Sequence, residues 1–113
     1  MPEWCSIPYK ETPHGYESDR IELKATLTLD APPAELTPPL QGLWWEAHGD
    51  WDRGHRIVQQ YADRDAAWVH AYLHRKEPDL SNASYWYARA GKPVASGAFD
   101  AEWDAIARAL LGA

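Results

Sequence analysis

Apolar positions recur along the chain in short runs of helical period separated by breakers, and this pattern predicts an all-α fold. The clearest run is the last, where Trp103, Ile106, Ala107, Leu110 and Leu111 fall at i, i+3, i+4, i+7 and i+8, with Asp100 placed to cap it. Leu36 to His48 reads as a helix closed by Gly49, and Trp51 to Ala62 as the next, with Asp50 as N-cap. A third helix starts at Asp63 or Asp65 and runs to about Glu77, where Pro78 stops it. A fourth opens at Asp79 and runs to Ala90, with Gly91 and Pro93 beyond.

The stretch Arg20 to Leu29 carries two signals. Ile21, Leu23, Ala25, Leu27 and Leu29 alternate as a strand would, whereas Asp19 and Glu22 have capping-box spacing. A lone strand has nothing to pair with, so the reading is helix. Ahead of it, Pro2, Pro8, Pro13 and Gly15 mark residues 1–17 as an irregular arm, which leaves 18–113 as a single all-α domain of five or six helices. Pro32, Pro33, Pro38 and Pro39 make a linker whose last pair suits the first turn of a helix.

Sliding the sequence by 29 residues lays Gly49-Asp50-Trp51-Asp52-Arg53-Gly54 over Pro78-Asp79-Leu80-Ser81-Asn82-Ala83, and Ile57-Val58 over Trp86-Tyr87. Each unit reads as an antiparallel helical hairpin: an aspartate starts the second helix, a large apolar residue plugs the turn, and Gly54 or Ala83 lets two backbones approach. On Gly49-Asp50-Trp51 and on the run from Ala83 to Ala90, residues 36 to 91 resemble tetratricopeptide-type repeats, with Ala83, Tyr87 and Ala90 at that motif's small, aromatic and small positions. The period of 29 is shorter than the usual ~34, and Pro78 stands where a turn glycine is expected. The run from His70 to Glu77, with Tyr85-Trp86-Tyr87, is also similar to a group of small bacterial proteins without assigned activity. The repeat resemblance implies stacked hairpins and a groove for a peptide or protein.

Composition narrows the function classes. With 17 acidic against 11 basic residues the chain carries a formal charge of −6, which disfavours nucleic acid as a partner. A single cysteine, Cys5, excludes an intrachain disulfide and a CxxC pair and suits a reducing cytoplasm. No apolar stretch approaches the ~20 residues of a membrane span, and the first residues lack a secretory pattern. Seven tryptophans and six tyrosines against one phenylalanine predict a core rich in rings that carry polar atoms.

Three groups of side chains bear candidate chemistry. His70, His74 and Glu77, with Asp63 one stripe back, follow helical spacing, and two imidazoles a turn apart plus a carboxylate suit Zn²⁺ or Ni²⁺. Two arguments place this stripe differently. Repeat register sets His74 over Trp45, inside an interhelical aromatic layer; the apolar arc Trp68, Val69, Tyr72, Leu73 leaves both histidines on an accessible face, which is the favoured reading. Around the first turn, His48, Asp50, Asp52 and His55 read as helix-end electrostatics rather than as an acid–base pair. Arg75, Lys76, Arg89 and Lys92 gather positive charge near Tyr72, Tyr85 and Trp86, a combination that can grip a carboxylate. Ser81, Ser84, Ser96 and Cys5 have no nucleophile setting.

Because neighbours on a helix diverge by about 100°, one of Trp44 and Trp45 is expected to cover the arm or a partner subunit, which favours a homodimer. A purely structural subunit would instead expose an apolar patch at Trp44 or Trp103. The sequence thus predicts a non-enzymatic protein- or peptide-binding scaffold without cofactor or catalytic residue. Its binding face is His70, His74, Arg75, Glu77, Tyr85 and Arg89. The alternative is a small ligand- or metal-binding protein, or an enzyme, using the His70, His74, Glu77 stripe.

Overall fold

Aspartates open three of the helices, and each does so by the same means. Its carboxylate accepts a hydrogen bond from a backbone N–H three residues on, replacing an intrahelical partner that the first turn lacks. Asp50 accepts from Arg53, Asp63 from Ala66 and Asp79 from Asn82. The structure, a computed structural model, describes residues 23–112. Residues 23–25 are helical and run into a 3-10 turn at Thr26–Thr28. Then come α1 (Pro38–Ala47), α2 (Trp51–Val58), α3 (Arg64–Lys76), α4 (Leu80–Ala90) and α5 (Phe99–Gly112). Among the described residues there is no strand, and no helix is long and apolar enough to cross a membrane. The expected arm at 1–17, the boundary at 18 and the Asp19–Glu22 capping pair lie outside the described residues.

α1 is shorter than the Leu36 to His48 of the sequence reading, and two further helix boundaries differ from it. α2 stops at Val58 rather than Ala62, because Gln59, Gln60, Tyr61 and Ala62 are exposed and bring nothing to the core. α5 starts at Phe99, so Asp100 sits within its first turn, as does Glu102, where negative charge suits the positive helix end, rather than at the cap position. Gly91 closes α4 in the left-handed conformation at φ 73°, as its position past the last apolar residue implied.

The closest packing joins α1 to α2 and α3 to α4, and α3 also touches α1, α2 and α5. α1 and α2 meet backbone to backbone. A Cβ on Gly54 would lie 2.6 Å from the Gly42 carbonyl oxygen, and one on Gly42 would lie 2.6 Å from Val58 Cγ1. Leu43, Trp44, Val58, Val69, Tyr72, Leu73 and Ile106 form the core. Along one side, α5 is fastened through Trp103, whose indole N–H donates to the Leu43 carbonyl at 3.1 Å, and through Glu102. Glu102 pairs with Arg75 at 2.8 Å and accepts from the Tyr87 hydroxyl; both partners of the ion pair are nearly buried.

Trp44 and Trp45 are both inside, at 0% and 9% exposure, so neither is left exposed for a partner subunit; the arm that one of them is expected to cover lies outside the described residues. α1 is covered on two sides. The Trp44 indole donates to Thr26 Oγ1 at 2.9 Å and stacks on His48, while Trp45 lies under the Arg53 guanidinium at 4.4 Å. Trp103 is buried as well, so neither tryptophan forms an apolar patch.

Candidate metal centre

α3 is where the isolated-helix reading of the sequence fails. A helix with one apolar arc presents its other face to water, but α3 is packed by α1, α2, α4 and α5 and is buried almost all round. His70 and His74 are therefore interior residues, at 4% and 8% exposure, and not members of an accessible face. The aromatic interlayer suggested by the repeat register describes them better.

A third imidazole meets them from α2. His55 Nε2 lies 3.0 Å from His70 Nε2, and candidate ligand atoms of His55, His70 and His74 all fall within 4.8 Å of one another. Each ring is held by a different neighbour. Trp51 stacks on His55 with centroids 4.8 Å apart, and its own N–H is tied to the Leu73 carbonyl at 2.7 Å, which staples α2 to α3. Trp86 of α4 stacks on His70 at 4.0 Å and 15°. Glu77, the C-cap of α3, bonds His74 Nδ1 at 2.9 Å. The sequence reading set His55 apart among the charges of the first turn. Its pairing with His70 was hidden because it depends on how α2 lies on α3, which periodicity within one helix does not report.

The electrostatics suit cation ligation. Burial, reinforced by the neighbouring His55 and His74 rings, pushes the His70 imidazole down to about 3. Burial also lowers His55, followed by His74, against a smaller opposing pull from Glu77 and Asp52. Near neutral pH both rings are uncharged, the form in which imidazole offers a lone pair to a metal. Two neutral rings facing through Nε2 share one proton between them. Ligands of a tetrahedral ion at Zn–N distances of 2.0–2.1 Å stand about 3.3 Å apart, so exchanging that proton for a metal needs only a slight opening of the pair.

The remaining predicted site residues are dispersed. Arg75 points away from the histidines, to Glu102, the Gly97 carbonyl and the Phe99 ring. Lys76 pairs with Glu46 at 2.9 Å, and Lys92 lies over Trp68. Tyr85 and Arg89 are exposed on α4, with the guanidinium 3.1 Å from the phenol oxygen. Asp63 is spent as the N-cap of α3, and His48 bonds the Leu29 carbonyl. The six residues expected to form one binding face thus divide between two buried histidines with the exposed Glu77 at their edge, a buried ion pair and an exposed helix surface.

No family model, curated protein or solved structure matches this chain. What the site does has to be argued from its own chemistry. A concavity of about 330 Å³ elsewhere is lined by Lys24, Glu46, Tyr72, Lys76, Asp100 and Asp104. Its lysines are engaged with Asp104 and Glu46, and burial, followed by the charge of the hydrogen-bonded Glu46, holds the Tyr72 phenol well above its ordinary range. These groups serve one another and leave the imidazole cluster as the better candidate.

Proposed function

We propose that this protein binds a divalent first-row transition ion through His55, His70 and His74. The observation that carries the reading is the convergence of two buried imidazoles and one partly buried imidazole from two helices, with two Nε2 atoms 3.0 Å apart. All-nitrogen ligation suits Zn²⁺, Ni²⁺, Co²⁺ or Cu²⁺ and is poor for Mg²⁺ and Ca²⁺, which take oxygen. The scaffold we infer is a pair of antiparallel hairpins of tetratricopeptide type, α1 with α2 and α3 with α4, capped by α5. Gly54 and Ala83 are buried at matching positions, which supports the pairing.

The test is a metal-free sample titrated with Zn²⁺ and Ni²⁺ and followed by melting temperature and calorimetry. One ion per chain is expected, with a stabilisation of about 2.7 kcal/mol at a free ion concentration a hundredfold above Kd. His55→Ala, at the least buried of the three positions, should remove most of that gain while leaving the metal-free protein folded. Identical melting with and without metal would end the proposal.

A second reading, the peptide-binding scaffold, is favoured by one observation: Tyr85 is 53% exposed, with Arg89 lying over its ring and that of Trp86. Such a guanidinium can take a carboxylate bidentately. Binding of Glu-rich peptides that is lost in Arg89→Ala and kept in His55→Ala would support this reading on its own.

A further inference from the structure

We propose that Glu77 is the positioning residue of this centre, holding the His74 ring through Nδ1 so that Nε2 is the atom left for the ion, and supplying negative charge beside the three imidazoles. The inference rests on the metal reading above. It also reassigns Glu77, which helical spacing alone made a ligand in the His70, His74, Glu77 set.

The geometry is local. Glu77 lies three residues after His74 on the same helix side, and its backbone N–H still bonds the Leu73 carbonyl at 3.1 Å, so the residue keeps helical register to the end of α3. Pro78 follows and ends the helix. The carboxylate is 2.9 Å from Nδ1, and a ring that donates there has only Nε2 to offer a metal. Metal-bound histidines are regularly held in this way by a carboxylate on the far nitrogen, which fixes both tautomer and ring orientation.

A competing arrangement would bind the ion among His74, Glu77 and Asp79, whose candidate ligand atoms also lie close together. It is disfavoured because it needs the Asp79 carboxylate, which caps α4 and accepts from the Asn82 side chain at 2.9 Å. In addition, a dication among three imidazole rings is desolvated without compensation unless an anion stands close by. Glu77 is the carboxylate bonded to one of those rings, and with 45% of its side chain exposed it is not itself buried by the arrangement.

The experiment is a Co²⁺ titration of the metal-free full chain, read by ligand-field absorption, for the natural protein, Glu77→Gln and Glu77→Ala, with melting of each metal-free sample alongside. Both variants should melt close to the natural protein, bind Co²⁺ 10- to 100-fold more weakly and reach the same absorption bands at saturation. Unchanged affinity would overturn the inference, as would lowered melting with unchanged affinity, which marks a structural role only. Altered bands at saturation would also overturn it, because Glu77 would then be a ligand. Failure of the natural protein to bind Co²⁺, Zn²⁺ or Ni²⁺ would remove the metal reading itself, an outcome visible without either variant.

Discussion

His70 shows how far one residue's chemistry depends on what is stacked against it. Its ring is held near 3 by burial and by two neighbouring imidazoles, whereas in the unfolded chain it titrates near 6.5. Between those values the unfolded state binds the extra proton, so stability increases with pH across the window. Metal-free protein should therefore be stable above pH 6.5 and lose stability as pH falls from 6.5 toward about 3. The total loss is on the order of a few kcal/mol. Urea melts at pH 7 and pH 5 check this, and His70→Gln should flatten the slope. Equal midpoints at the two pH values would contradict the burial argument. The spacing of His70 and His74 was visible in the sequence, as was the suitability of two imidazoles for a metal. Their burial was not, because exposure depends on how many neighbours a helix acquires, and α3 acquires four.

Among the elements, the decisive contact is the crossing of α1 and α2 at Gly42 and Gly54. A methyl at residue 54 would sit 2.6 Å from a backbone oxygen that cannot rotate away, so Gly54→Ala should cost about 1–3 kcal/mol, measured by chemical denaturation. Ala at Gly49 meets no atom within 4 Å but must adopt φ +104°, so its destabilisation has a different origin, backbone strain. Gly54 also precedes His55, so separating the helices would carry the third imidazole away from His70. Gly54→Ala should therefore weaken Zn²⁺ binding as well as stability, whereas Asp63→Ala, which removes only a cap at about 1 kcal/mol, should leave affinity intact. Helix starts were legible because Asp50, Asp63 and Asp79 satisfy a purely local need. Helix ends were less so: α2 was read four residues too long, since nothing in Gln59-Gln60 announces that the core has stopped. Gly42, the other half of the crossing, carries no signal in the sequence, because its role exists only against Val58 and Gly54.

For the molecule as a whole, Arg75 and Glu102 join α3 to α5 through an ion pair whose side chains are only 10% and 8% exposed. Glu102→Ala would strand a buried guanidinium and free the Tyr87 hydroxyl, an expected loss of about 3–5 kcal/mol in thermal or urea unfolding. A loss below 1 kcal/mol would mean that α5 is held by Trp103 and its apolar neighbours alone. The sequence placed Arg75 on a binding surface because a positive charge beside aromatic rings looks the same whether it awaits a ligand or already has an internal partner. The imidazole cluster crosses a different seam. His55 belongs to the pair formed by α1 and α2, while His70 and His74 belong to that formed by α3 and α4. An ion seated there would act as a rivet between the two pairs, beside the core they already share. Filling it would make their unfolding a single event. Emptying it would let amide protons of α2 exchange with solvent sooner than those of α3.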